Sequence, residues 1–297
     1  MVGLAWEKVG FILRGKQARE LAGMKWAQAI MTTGPASLTM FLAACGGAGD
    51  APSQGASAAT GASPTPAVSP ATPPGVARKV KIANDFFDFD YSYPSAAGAI
   101  PGLKAWLDAE SDRQQSRLAK EARAAAKEAK SDHFPFRPWA NGVEWKVVAD
   151  LPGWLSLSAA IYEDSGGAHP NHGYDALLWD KSAGQKRRAQ DLFTSKEALS
   201  SAIREPFCAQ LDKERAQRRG EPVARSQEWP NDCIDPTGST VLLGSSDHVH
   251  FNRIGILVGP YAAGPYAEGD YEITLSVDAK VLAAVRPEYR GVFAIGK

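Results

Sequence analysis

Residues 46–77 decide where this chain can fold. Of these 32 positions, 28 are Gly, Ala, Ser, Pro or Thr, the exceptions being Asp50, Gln54, Val68 and Val76. Such a stretch cannot bury enough apolar surface to offset the entropy of ordering it. As a flexible coil it spans about 30 Å, from roughly 5–6 Å × √n, and the prolines at 64–74 extend it further. A sizeable core must therefore come from residues 78–297.

What precedes this linker explains its presence. Lys25 gives a positive start, and a stretch of low polarity runs from Trp26 to Ala44, most apolar over Leu38–Ala44. Small residues then lead to Cys45, the pattern of an export signal over 24–44. The tetrad Leu42-Ala43-Ala44-Cys45 resembles the bacterial lipobox. That resemblance implies diacylglycerol on the Cys45 sulfur, cleavage after Ala44 and a folded part held outside the cytoplasm on a membrane. Gly46 stands where an Asp would retain the chain at an inner membrane, which favours the outer membrane of a Gram-negative host. Residues 1–23 read as an upstream extension, with Met24 the better start.

Charge narrows the partners. The whole chain carries 33 basic and 33 acidic residues. Removing 1–45, with five basic and two acidic residues, leaves 28 against 31, a net of −3. No basic stripe is available to neutralise phosphates, so nucleic acid is not an expected partner. After residue 45 no window approaches the ~20 apolar residues of a spanning helix.

Hydropathy patterns sketch the folded part. Phe87, Phe89, Tyr91 and Tyr93 alternate with Asp88, Asp90 and Ser92, a half-buried strand that Pro94 ends. Residues 103–130 predict a helix with Leu103, Trp106 and Leu107 on its apolar face and a solvated or frayed second half. Trp145–Val148 begins a strand, and Leu151-Pro152-Gly153 fits the turn to a second one at 155–162. A strand at Tyr174–Trp179, a turn at 180–184 and a short return at Gln185–Arg188 follow. Thr194 and Glu197 suggest a capping box. Pro206 predicts a break at Glu205 and a second helix from Pro206 to Arg219, stopped by Gly220. Strands close the chain, one from Val249 through Val258 and the clearest at Tyr271–Val277. Hairpins with a few helices and no repeated strand–helix alternation argue for an α+β fold. Antiparallel sheets with a few packing helices are expected, in two small adjoining domains at 78–160 and 161–297.

Three segments carry a resemblance. They are Tyr162-Glu163-Asp164-Ser165-Gly166-Gly167-Ala168-His169-Pro170-Asn171, Asp191-Leu192-Phe193, and Gly259-Pro260-Tyr261-Ala262-Ala263-Gly264-Pro265-Tyr266-Ala267-Glu268-Gly269. Together they resemble the signature of a PdaC/RsiV-like domain pair. This extracytoplasmic family of unassigned function occurs in a lysozyme-sensing anti-sigma factor and in the non-catalytic N-terminal part of a peptidoglycan deacetylase. The resemblance covers 79–290, and its upstream companion domain corresponds to roughly 79–160. No sigma-binding segment, spanning helix or polysaccharide-deacetylase domain accompanies it, so neither parent activity carries over. What it implies is a non-catalytic envelope module that binds or senses cell-wall material such as peptidoglycan, or a protein ligand such as lysozyme.

The candidate ligand-binding residues are Gly166, Gly167, His169, Asn171, Tyr261 and Tyr266. Gly166-Gly167 permits a sharp turn at a strand end and presents His169 and Asn171. The bland alternative is a structural loop whose His bonds nearby backbone. Tyr261 and Tyr266, on a Pro/Gly loop, can stack on sugar rings or anchor a protein, or simply cover a sheet edge. His169 and His172, with His248 and His250 on a strand face beside Asp247, raise a metal site, but neither spacing matches a metal motif. No metal and no cofactor are therefore expected. Ser165, His169 and Asp164 lie too close in sequence for a working triad, and no Gly-x-Ser-x-Gly elbow is present. No catalytic residue is assigned, and a small envelope hydrolase acting on a glycan or ester remains the competing class.

Once lipid consumes Cys45, Cys208 and Cys233 remain, an even count in an exported chain. A disulfide between them would pin the polar 220–236 stretch to the preceding helix and contribute about 3 kcal/mol on a chain-entropy estimate. The rival is a pair of free buried thiols.

Overall fold

The first strand of the protein is one that the hydropathy pattern does not announce. In the computed structural model, which describes residues 75–296, Arg78–Ala83 forms β1 and pairs antiparallel with β2, Phe87–Tyr93. The signal, the Cys45 anchor and all but the last residues of the linker lie outside the described residues. β1 has only Val80 and Ile82 as large apolar positions and alternates them with lysines. That suits an edge strand, where lysine discourages further strand pairing. Asp108 ties this edge down: it accepts from Arg78, from Tyr93 Oη at 2.7 Å and from Lys104 Nζ at 2.6 Å. Burial works to raise the Asp108 carboxyl, but these three donors outweigh it and hold it at about 2.

β2 is the strand its alternation promised. Phe87, Phe89, Tyr91 and Tyr93 are all buried, each worth about 1.5–3 kcal/mol on transfer from water. After Pro94 come a short turn of helix, α1 (Ser95–Gly98), and the long α2 (Pro101–Ser131). Proline at its first position suits a helix start. The charged second half of α2 stays helical to its end, because Leu118 and Ala122 continue the buried stripe of Leu103 and Leu107. The chain returns in β3, Trp139–Leu151, which lies parallel to β2. This one parallel pair needs the long crossover that α2 supplies. Every other pairing among the described strands is antiparallel, as expected.

β3 turns at Pro152-Gly153 into β4, Trp154–Asp164; β5, Asn171–Asp180, and β6, Gln185–Arg187, complete a sheet in the order β1-β2-β3-β4-β5-β6. The sheet runs past the boundary drawn at 160/161, which falls inside β4. Two cores meet across it. Val143, Trp145, Leu155, Leu157, Ala159, Leu177 and Trp179 face α2, whereas Ala149, Leu151, Trp154 and Leu178 belong to the second core. A bulge between Val147 and Ala149 makes this possible, since one extra residue flips the rest of β3 to the other face.

The second layer is an antiparallel meander of β7 (Thr240–Gly244), β8 (Arg253–Val258) and β9 (Tyr271–Ser276), packed by α3 (Lys196–Arg219) and α4 (Ala279–Ala284). Three expectations need correction. The cap of α3 is Ser195, whose Oγ accepts from Ala198 N at 3.0 Å; Thr194 instead donates to the Ala284 carbonyl at 3.2 Å. No break occurs at Glu205. Pro206 is exposed, so the carbonyl its ring leaves unpaired lies toward solvent, and the stripe Leu199, Ile203, Phe207, Leu211 is buried on both sides of it. Residues 245–252, with His248 and His250, form a loop and not a strand, because Asp247 caps the turn by accepting from Val249 N and His250 N at 2.8 Å each. The disulfide between Cys208 and Cys233 is present, with Cα atoms 5.5 Å apart.

Candidate functional site

Two loops converge where the sequence placed its candidates. The first, 165–170, joins β4 to β5. Gly166 turns it with φ of +91°, a conformation that disfavours a side chain, while Asp164 Oδ1 accepts from Gly166 N at 2.9 Å. The second, 259–270, joins β8 to β9 and carries Tyr261, Tyr266 and Asp270.

His169 is the hinge of the contact. Its ring stacks on Tyr266 with centroids 4.1 Å apart and planes 22° from parallel. Its Nε2 lies 3.0 Å from Tyr261 Oη, and its Nδ1 lies 3.1 Å from the Pro170 carbonyl. Both ring nitrogens thus face partners that orient the imidazole, and neither faces the Ser165–Asp164 pair that a triad would require. Tyr266 Oη donates to the same Pro170 carbonyl at 3.0 Å. Tyr261 and Tyr266 are 5.4 Å apart between ring centres. Among the six candidates, His169, Tyr261 and Tyr266 therefore meet in space. Gly167 is exposed on the loop, and Asn171 is the first residue of β5, opposite Glu163.

A second tier of contacts lies beneath. His172 Nε2 sits 2.9 Å from Asp270 Oδ1, and Tyr174 Oη donates to Asp270 Oδ2. Burial opposes ionisation of Asp270, yet the His172 and Tyr174 hydrogen bonds prevail and its carboxyl lies below the ordinary aspartate value. Burial first, then the bond to Asp270, pushes the Tyr174 phenol far up. Farther along the loop, Glu268 takes a bidentate grip from Arg219, Nε at 2.8 Å and Nη2 at 3.0 Å, and accepts from Tyr271 Oη. Burial and then that bond raise the Tyr271 hydroxyl to about 12.

Helix α3 fixes the second loop and the segment beside it. Fully buried Arg215 donates to the Ala263 carbonyl in the second loop and to the Asp232 carbonyl in the 221–235 segment. That segment brings in Trp229, whose Nε1 donates to the Tyr261 carbonyl at 3.3 Å. Sequence reasoning missed Trp229, Tyr174 and Asp270. Asp270 is 98 positions from His172, and no local pattern marks such a pair.

The two His pairs do not share partners: His250 Nδ1 faces Asp247 Oδ2 at 3.2 Å in its own loop. Among the described residues, no group of three or more His, Cys, Asp or Glu is arranged to hold a metal ion. The Asp191-Leu192-Phe193 piece is structural, with Asp191 closing a turn onto Arg188 and Leu192 and Phe193 wholly buried.

Residues 80–172 match the model of a family described as Deacetylase PdaC, from β1 through the loop that carries His169. This part is similar to a PdaC-like domain. Two solved structures are similar to about three quarters of the chain. A DUF3298 family protein from Pseudomonas aeruginosa PAO1 is 16% identical, with 76% of this chain and 99% of that one covered at a TM-score of 0.42. A member from Bacteroides fragilis NCTC 9343 is 13% identical, with 73% and 96% covered at a TM-score of 0.45. No curated protein matches the chain.

Proposed function

We propose that the folded part of this protein is a non-catalytic binding or sensing module of the cell envelope, held to a membrane by lipid on Cys45. Its ligand, cell-wall material or a protein such as lysozyme, docks where the 165–170 and 259–270 loops meet. One observation carries this reading: His169 and Tyr261, 92 positions apart, come together at an exposed contact built from two of the three segments that bear the family resemblance. The pair adds little to either core, and conformationally demanding loop residues on a rigid scaffold are where binding surfaces concentrate. The first of those loops lies within residues 80–172, which are similar to a family described as Deacetylase PdaC. His169 faces no serine–aspartate pair, which favours recognition over triad chemistry.

The test is a pull-down from envelope extract with soluble 78–297 and its His169→Ala variant. Retention of muropeptide or of one protein, weakened by the substitution with little change in melting temperature, supports the module. Turnover of a glycan or ester substrate overturns it in favour of a hydrolase.

A further inference from the structure

Tyr261 is held in a conformation that its own side chain resists. Its φ is +66°, in the left-handed region that suits glycine and strains a bulky residue, yet the residue is 53% exposed and seals no core. The structure secures it from both ends. Trp229 Nε1 donates to its carbonyl, and its hydroxyl faces His169 Nε2. Strain that is maintained by specific partners around an exposed aromatic calls for a use of that aromatic.

Trp229 has the same character. It is 54% exposed and rides on the 221–235 segment, of which Cys233 and Ile234 pack against the core. That segment is clamped along one face of α3 by Ser200, Arg204, Cys208, Asp212, Arg215 and Arg219. So many clamps hold an exposed indole against the backbone of an exposed tyrosine.

We propose that Trp229 and Tyr261 form a stacking subsite for a neutral pyranose ring of a glycan. The proposal rests on the binding-module reading and names its ligand class. Three features select a sugar. Aromatic faces with hydroxyl, indole and imidazole groups beside them match a ring that is apolar on its face and polar at its edge. The carboxylates of the second loop are already engaged, Asp270 by His172 and Tyr174 and Glu268 by Arg219, and Glu228, next to Trp229 in the chain, adds negative charge that disfavours a phosphate or carboxylate. Two exposed rings bordered by Glu228 and Asn231 are also far smaller than the roughly 800 Å² per partner that a stable protein interface buries.

The experiment uses the full chain in detergent, with a chito-oligosaccharide, a polygalacturonate oligomer and lysozyme as probes, read by calorimetry and by melting temperature. The chito-oligosaccharide should bind the unmodified protein and the acidic oligomer should not. Trp229→Ala and Tyr261→Gly should each weaken binding about tenfold, the scale of one lost aromatic contact. Tyr261→Gly carries the decisive second readout: relieving the positive φ should leave the melting temperature equal or higher while binding falls. Undiminished sugar binding by both variants, or preference for the acidic oligomer, overturns the subsite. If lysozyme alone binds and the variants abolish it, the glycan proposal fails and the module stands. If none of the three probes binds, the glycan subsite fails, and the module then rests on the envelope pull-down.

Discussion

Arg215 and Ala263 are joined by a fork: the Nε and Nη2 of a guanidinium with no solvent exposure both donate to one carbonyl, at 2.9 and 2.6 Å. The third nitrogen reaches the Asp232 carbonyl at 2.8 Å and Asp212 Oδ1 at 3.2 Å. One buried side chain thereby ties the 221–235 segment to the aromatic loop. Arg215→Met would strand two buried carbonyls, and the expected loss is about 3 kcal/mol or more in urea denaturation. Arg215→Lys should rescue little of it, because a point charge cannot reproduce the planar fork. A methionine variant within about 1 kcal/mol of the parent would show that these bonds are dispensable.

The Cys208–Cys233 bridge belongs to the same row of contacts. Non-reduced, alkylated protein should show neither cysteine modified by mass spectrometry. Replacing both with Ser should lower stability by about 3 kcal/mol. It should also open the 221–229 stretch to proteolysis before the cores unfold, since polar clamps alone must then hold it. Alkylation at both positions in the parent protein would rule the bridge out.

That row also shows where sequence reasoning stopped. Ser200, Arg204, Cys208, Asp212, Arg215 and Arg219 repeat at helical spacing and are visible as such, but only if the helix continues through Pro206. Local chemistry at Pro206 argued for a break, and burial of Ile203 and Phe207 on either side overrode it. β1 was missed for the opposite reason: an edge strand needs few apolar residues, and Lys79 and Lys81 hid Val80 and Ile82. By contrast, β2 and β9 read true because one face of each is buried, which imposes strict alternation. For the site, His169, Tyr261 and Tyr266 were legible from their segments, whereas Trp229 and Asp270 matter only through contacts that the fold creates.

Cys45 is expected to carry the lipid, from Leu42-Ala43-Ala44-Cys45 and the linker that follows. Expression with labelled palmitate should mark the parent protein and not Cys45→Ala, which should also leave the membrane fraction. Persistence of both label and membrane association in the variant would place the anchor elsewhere.

Gly264 should tolerate no side chain. A Cβ there would meet the Glu268 carboxylate, with its Cδ at 2.9 Å, and lie 3.3 Å from Tyr271 Oη. A carboxylate end can usually swing aside, but Arg219 and Tyr271 hold this one. Gly264→Ala should therefore cost about 1–3 kcal/mol. In a Glu268→Ala background the penalty should shrink, and a double-mutant cycle that finds the two changes additive would show that they do not meet.

Asp270 predicts how acid acts on the site. Its folded-state carboxyl lies below the ordinary value of 3.8, so the native state releases a proton that the unfolded chain still binds near that pH. The stabilisation is therefore complete above 3.8 and is lost as pH falls through the lower folded value. His172 and Tyr174 bond it directly, and the Tyr266 phenol is electrostatically coupled to it. Asp270→Asn keeps the shape and removes the charge, and should lose on the order of 1–2 kcal/mol at neutral pH, the scale of hydrogen bonds to a charged group. The gap between parent and variant should narrow as the parent is titrated below 3.8, because protonation then makes the two side chains alike. Chemical denaturation at a series of acid pH values measures it. A gap that stays constant through that range would mean that Asp270 is not ionised in the folded protein.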